Sequence, residues 1–439
     1  MQQQQQALRR HGHYSPGEEE IEQISLRLHQ LLIEELEAEK LEGLPAERKH
    51  RAVEEAARAL LKREFPTVVG SAQVDLAERA ADEILGLGPI ELLVRDPSIS
   101  EVMVNGPDEV YCERDGILSR STVRFRDKQH IVQIIERIVH PLGRRVDEAS
   151  PMVDARLPDG SRVNIAIPPV VPRSPVVTIR KFRADKLSMD DLIGGGTLTD
   201  DIAAFLNACV VMRLSILISG GSGTGKTTLL NALSASIPPD ERIITIEDPM
   251  EVRLQQPHVV SMEARPPSIE GRGEIDQRTL LRNALRMRPD RIIIGEVRGP
   301  EAFDMLNAMN TGHEGSLSTI HANSPRDALS RVENMVLTAG LDLPERAIRE
   351  QLASALHLLV QIARFRDGVR RVTQVTEVSG MEGNVVTLQD IFRFRQEGVD
   401  GDGRVIGRLA PTGVRPDFVE RFAEASIRLP PNIFAPRQW

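Results

Sequence analysis

Apolar residues recur at helical three- and four-residue spacing in three runs near the start of the chain. These are Ile21, Ile24, Leu28, Leu31 and Leu32, continuing to about Lys40; Val53, Ala56, Ala57, Leu60 and Leu61; and Ala77, Ala80, Ala81, Ile84 and Leu85. The stripes predict a small helical bundle over residues 17–86 whose plain role is docking. Met1 through Gln6 is a glutamine tract rather than a signal sequence, so residues 1–16 are expected to be a disordered tail. Gly86-Leu87-Gly88-Pro89 breaks the third helix. Glu101 to Asn105 and Val110 to Glu113 then run like strands, with Asp115-Gly116 as a hairpin turn. A helix is expected from Asp127 to Leu142, with Ile131, Ile134, Ile135 and Ile138 inward and Gly143 as its stop. Met152 to Leu157, the turn Pro158-Asp159-Gly160, Arg162 to Ile167 and Val176 to Phe182 complete an α+β domain over 87–183.

Gly194-Gly195-Gly196 marks 184–198 as the expected hinge linker. Beyond it, the apolar runs Leu214 to Ser219, Arg242 to Ile246, Arg291 to Gly295 and Ser316 to Ile320 alternate with helical patterns. That alternation predicts a largely parallel, doubly wound α/β sheet over 199–439. From Val372 to Gly407 the pattern changes to short strands and turns, and no internal repeat is visible.

The chain of 439 residues exceeds one typical domain, so two folded units with extensions are expected. No run approaches the roughly 20 apolar residues that span a bilayer, which points to a cytoplasmic protein. Cys112 and Cys209 are the only cysteines, too few for a four-cysteine zinc site or a disulfide framework. The net charge of −9 argues against a general grip on nucleic acid.

Gly220 to Thr228 reads Gly-Gly-Ser-Gly-Thr-Gly-Lys-Thr-Thr, directly after an apolar strand and before an Ala/Leu-rich helix. A phosphate-cradling loop needs that order: glycines let backbone N–H groups approach phosphate oxygens, Lys226 supplies a point charge, and Thr227 offers a hydroxyl to Mg²⁺. Gly221, Ser222, Gly223, Thr224, Gly225, Lys226, Thr227 and Thr228 are therefore the candidate ATP/ADP-binding residues; the competing reading is a Gly-rich turn that only reverses the chain. Ile292-Ile293-Ile294-Gly295-Glu296 places a carboxylate at the carboxyl edge of the sheet, where open α/β folds keep ligands. Glu296 could organise Mg²⁺ through water or accept a proton from the attacking water, and the residues alone leave both open. Thr245 to Glu251 ends another strand with several acids, of which Glu247 is the preferred site member; a solvated acidic turn is the alternative. His313 and His321 flank a strand, without the partners of a metal site. Arg156, Arg162, Arg180 and Arg183 lie on α+β strands near the hinge, either as phosphate clamps acting in trans or as surface ion pairs.

Four strings occur together: the glycine-rich loop, Ile-Glu-Asp-Pro-Met-Glu, Arg-Met-Arg-Pro-Asp-Arg-Ile-Ile-Ile-Gly-Glu-Val-Arg, and Gly-His-Glu-Gly-Ser-Leu-Ser-Thr-Ile-His-Ala-Asn. Together they resemble the Walker A, Asp box, Walker B and His box of secretion superfamily ATPases. Gly86 to Pro89, Val104-Asn105-Gly106-Pro107, Arg156 to Asn164 and Gly380 to Gly383 resemble more narrowly the CpaF/TadA branch, motor of Tad (Flp) pili. The resemblance runs from about Ala72 onward. It implies a RecA-like nucleotide domain and a homo-hexameric ring, with nucleotide and Mg²⁺ between that domain and an N-terminal one. By motif position it carries over Arg162 and Arg180 as phosphate-contacting arginines, Arg298 beside Glu296, and His321 as the His-box residue. Arg156, Arg183 and His313 carry over less directly. Implied partners are polytopic inner-membrane platform proteins and, through them, pilin, at the cytoplasmic face of the membrane, with no nucleic acid. The absent four-cysteine module disfavours the type II secretion branch. A type IV secretion traffic ATPase, a nucleotide-sensing scaffold with little turnover, and a nucleic-acid translocase stay open as alternatives, as does a role in retraction.

Overall fold

A computed structural model describes residues 18–36, 41, 43–114, 116–182, 187–267 and 272–436. The glutamine tract, Asp115 of the expected hairpin and Arg183 lie outside the described residues. The chain divides into two compact units, Met1–Arg183 and Ala184–Trp439.

The first unit opens with helices α1 (Glu18–Glu35), α2 (Ala46–Glu64) and α3 (Ser71–Leu85). Their apolar stripes meet as one cluster that includes Ile24, Leu28, Leu32, Ala57, Leu60, Leu61 and Ala77. A short helix α4 (Glu91–Arg95) follows, and Asp82 of α3 ties the segments together: its Oδ1 lies 2.9 Å from His50 Nε2 and 2.8 Å from an Arg95 nitrogen. Strands β1 (Ile99–Gly106), β2 (Glu109–Arg114), β3 (Ile117–Arg120), β4 (Met152–Arg156), β5 (Arg162–Ala166) and β6 (Val176–Arg180) form an antiparallel sheet in the order β3-β2-β1-β6-β5-β4. Helix α5 (Lys128–Val139) covers one face. Its isoleucines at 131, 134, 135 and 138 pack on Val102, Val163, Ile165, Val177 and Ile179. The Asp127 carboxylate caps it by accepting the His130 N–H at 2.7 Å. The helix stops three residues before Leu142 because His140–Leu142 tightens into a 3₁₀ turn around Pro141, ending at left-handed Gly143.

In the second unit, part of the expected hinge is built into the core. Ser188 and Asp191 form a capping box that starts α6 (Met189–Gly194), and Leu192 and Leu198 join the main apolar cluster. The glycines there end a helix, with Gly196 at φ +72°. Then come α7 (Asp200–Val211), β7 (Ile216–Gly220), α8 (Lys226–Ser234), β8 (Ile243–Glu247), β9 (Val259–Glu263), α9 (Gln277–Ala284), β10 (Arg291–Val297), α10 (Glu301–Asn310), β11 (Leu317–His321), α11 (Pro325–Thr338), α12 (Glu345–Ala355), β12 (Leu358–Arg364), β13 (Arg370–Glu382), β14 (Val385–Val399), β15 (Val405–Pro411) and α13 (Val419–Glu424). The nine strands run β15-β14-β13-β12-β7-β11-β10-β8-β9. From β12 to β9 neighbours are parallel; β13, β14 and β15 add antiparallel strands. One strand, β11, is inserted between β7 and β10 in this mixed α/β domain. Both faces are covered, so the central strands are buried on both sides: Ile216 and Ile218 face α7 and α8, whereas Leu217 faces α10 to α12.

The region read as short strands and turns is instead two long strands of 13 and 15 residues. Register shifts at Val378/Met381 and Gln396/Gly398 interrupt the alternation, and Gly380 and Gly398 sit at them. In sequence a bulge looks like a turn. Among the described residues no helix is long and apolar enough to cross a membrane.

Candidate active site

Strand β7 delivers the glycine-rich loop at the carboxyl edge of the sheet, and α8 leaves from it at Lys226. Gly223 and Gly225 take φ of +67° and +94°, a left-handed backbone that glycine adopts without steric cost. Gly220 is required for a different reason: a Cβ there would stand 2.5 Å from the carbonyl oxygen of Ile362 on the neighbouring strand. Thr224 Oγ1 and Lys226 Nζ both donate to Gly221 O, at 3.0 and 2.9 Å, which folds the loop around its own first turn. Ser222 lies within the loop, and Thr227 and Thr228 begin the nine-residue helix.

Parallel pairing sets His321 of β11 beside Gly220. Its Nε2 lies 3.4 Å from Lys226 Nζ and 2.7 Å from Glu296 Oε1, and the other carboxylate oxygen, Glu296 Oε2, accepts from Arg298 Nε at 2.8 Å. Lys226, His321, Glu296 and Arg298 thus form one continuous polar chain. The His321–Glu296 approach is close but lacks hydrogen-bond geometry, so Glu296 Oε1 is a buried oxygen whose hydrogen bond is unmade. Burial, and then the Lys226 charge, hold the imidazole of His321 below its ordinary pKa, with Glu296 opposing. Arg298 is fixed by its backbone: its N–H and that of Gly299 donate to Glu301 Oε1 at 2.6 and 2.9 Å.

The acidic turn separates two roles. Glu247, at the end of β8, is buried and turned inward; its Oε2 accepts the N–H groups of Glu251 and Val252 at 2.6 and 2.7 Å. Burial raises its pKa, against the pull of those hydrogen bonds. Gly295 leaves room for it, since a Cβ there would lie 3.0 Å from Glu247 Cγ. Glu251, held by that backbone contact, brings Oε2 within 3.4 Å of Thr227 Oγ1. Glu247 therefore positions the turn, and Glu251 is the acid facing the phosphate-loop threonine. The side-chain amide of Gln277, assigned from its neighbours, donates to Glu296 O and accepts the Asp248 N–H, at 3.1 and 3.2 Å. A small cleft joins Thr227, Glu247, Glu251, Glu296 and Arg298.

Of the expected residues, the loop, Lys226, Thr227, Glu247, Glu296, Arg298 and His321 come together. His313 does not, because it precedes β11 and so sits at the opposite end of that strand. Arg162 and Arg180 belong to the other unit. There Arg156, Arg162 and Arg180 are direct cross-strand partners in one row, continued by Glu101. Their strand neighbours Ala155, Val163 and Ile179 are in the core, so the row lies on the face away from α5. Sequence reading singled out neither Gln277 nor Arg370, whose Nε donates 2.9 Å to Gly223 O from the start of β13; both lie outside the four boxes.

The donor set fits a nucleoside triphosphate and a hard divalent cation: left-handed glycines beneath a helix N-terminus, an adjacent ammonium, and oxygens from Thr227, Glu251 and Glu296 on one cleft.

Residues 83–401 match the family described as Type II/IV secretion system protein. A protein of Mycobacterium tuberculosis (strain H37Rv) named for conjugal transfer is 38% identical over 309 residues, covering 69% of this chain and 87% of that one. The type IV secretion system protein VirB11 of Bartonella henselae is 32% identical over 342 residues, 68% of this chain and 93% of its own. The crystal structure of the VirB11 ATPase of Brucella suis with sulphate aligns at 30% identity over 65% of this chain and 94% of that one, with a TM-score of 0.36. The chain belongs to the Type II/IV secretion system protein family.

Proposed function

We propose that this chain is an Mg²⁺-dependent ATPase that, as a homo-hexameric ring at the cytoplasmic face of the inner membrane, drives Tad (Flp) pilus assembly through polytopic platform proteins. The observation that carries the enzymatic part is the polar chain from Lys226 through His321 to Glu296 beside the glycine-rich loop. In this reading Lys226 and the loop amides bind the phosphates, and Thr227 and Glu251 face the cation, which when bound offsets charge on the phosphate oxygens. Glu296 Oε1, buried with its hydrogen bond unmade, holds and orients the attacking water, while Arg298 fixes the other carboxylate oxygen and His321 stands beside the water site. Arg162 and Arg180 contact phosphate oxygens when the ring closes. Their side-by-side placement on one face of the sheet supports this, because adjacent guanidinium groups present the planar donors that suit phosphate oxygens. Nucleic acid has no part in this reading.

Phosphate release from the purified chain tests the activity. Glu296→Gln should bind ATP and hydrolyse it about 10²- to 10⁴-fold more slowly, the range for a positioned base, whereas Lys226→Ala should lose binding. Unchanged turnover in Glu296→Gln rejects the assignment.

A type IV secretion traffic ATPase is the second reading, favoured by the similarity to proteins named for conjugal transfer and type IV secretion. Deleting the gene and scoring surface pili against macromolecule transfer separates the two.

A further inference from the structure

Strand order gives the phosphate loop two flanks. On one side of β7 stand β11 and β10, carrying His321 and Glu296; on the other stand β12 and β13. A triphosphate whose terminal phosphate lies toward Glu296 therefore has its nucleoside end toward β12 and β13. Arg370 is the first residue of β13, and its Nε donates to Gly223 O at 2.9 Å. Its stem crosses the loop where α8 begins: a Cβ on Gly225 would sit 3.1 Å from Arg370 Cδ and 3.9 Å from Nε. Gly225 thus serves the loop's left-handed backbone and also gives this arginine passage over the helix N-terminus.

The turn that presents Arg370 is anchored on both sides. Asp367 takes Arg371 in a two-point pair at 2.9 and 2.8 Å, and accepts the backbone N–H groups of Val369 at 3.1 Å and Val405 at 2.9 Å. The Arg371 guanidinium stacks over Phe365, 5.0 Å from the ring centre. Arg371 holds the Asp367 carboxyl well below the usual range, so the anchor is ionised throughout the neutral region. A planar cation on a rigid turn, laid across the loop amides, suits an oxyanion held by those amides.

We infer that Arg370 is a nucleotide-binding residue that contacts the α-phosphate end of a nucleoside di- or triphosphate, on the flank of the loop opposite Glu296. The inference rests on the reading that the loop holds a nucleotide. Since ATP and ADP share that end, Arg370 should bind both equally and leave their relative affinity alone.

The test is calorimetric titration of the full chain and of Arg370→Met with ATP and with ADP, each with Mg²⁺. Arg370→Met keeps the stem and removes the charge, and melting without nucleotide checks the fold. The expected result is about tenfold weaker binding of both nucleotides, the loss of one charge-assisted hydrogen bond, with partial recovery in Arg370→Lys. If Arg370→Met binds both nucleotides as the parent does, Arg370 only staples Gly223, and the inference is overturned. A loss confined to ATP overturns it too, by placing the arginine at the terminal phosphate. Failure of the parent chain to bind either nucleotide removes the phosphate-loop reading itself. Should Arg370→Met not fold, Arg370→Lys carries the same comparison, with equal affinities to the parent for both nucleotides as the overturning result.

Discussion

The two sheets of this molecule place their arginines differently. In the nine-stranded sheet the fully buried arginine is matched: Arg291, with no exposed surface, pairs with Glu241 at 2.5 Å and donates to Gly315 O at 3.1 Å. In the six-stranded sheet, Arg156, Arg162 and Arg180 stand beside one another on the face away from the helix, and the ion pair from Arg180 to Glu101 is long, at 3.9 Å. A matched buried pair is what a fold needs to hold its shape. The row sets three guanidinium groups side by side, the donors that the contact proposed for Arg162 and Arg180 would use.

The contrast is broken most decisively by removing the row. Arg162→Ala with Arg180→Ala should lower ATP turnover by about 10³-fold or more, the scale of an arginine that meets transition-state charge. Unfolding by urea should change by at most about 1 kcal/mol, the scale of surface ion pairs. A large fall in stability with turnover intact would make the row a structural device and overturn its proposed role. Arg291→Met sits at the other pole: it leaves the buried Glu241 with only the half-exposed Arg213, at 3.3 Å, and should cost about 3 kcal/mol of stability. A Met variant as stable as the parent would show that the pairing at 241 and 291 does not hold the sheet.

Legibility in the sequence followed the same division. The loop and Glu296 could be placed because apolar strands of fixed length end at one edge of a parallel sheet, so residues distant in sequence are forced together, whereas His321 was singled out only by its motif resemblance. The stripes of α1 to α3 and α5 were equally plain, since their buried faces repeat at helical spacing. Strands β13 and β14 were not, because bulges at their glycines imitate turns. Arg370 was invisible for a related reason: it lies on a strand added beyond the parallel core, and only its approach to Gly223 in the fold reveals it. In the segment 184–198, read as a hinge linker from its three glycines, the capping box at Ser188 and the burial of Leu192 and Leu198 are tertiary facts that the glycines do not announce.

The smallest effect concerns the acidic turn, where Glu247 and Glu251 exchange the roles that position along the chain suggests. Glu247 is buried and its pKa is raised, so ionising it costs folding free energy. Its stabilising contribution is complete below the unfolded value for a glutamate and is lost as pH rises through the higher folded value. Glu247→Gln retains a carbonyl oxygen for the N–H groups of Glu251 and Val252 and cannot ionise. The variant should therefore match the parent near pH 4.5 and gain on it with rising pH, by roughly 1 kcal/mol at pH 8, the usual scale for one buried polar group. Urea titrations across that range measure the difference, and a flat profile would mean that the carboxylate pays no burial cost. Turnover completes the separation: Glu251→Gln, which alters the acid facing Thr227, should lose more activity than Glu247→Gln. The reverse order would return the cation-facing role to Glu247.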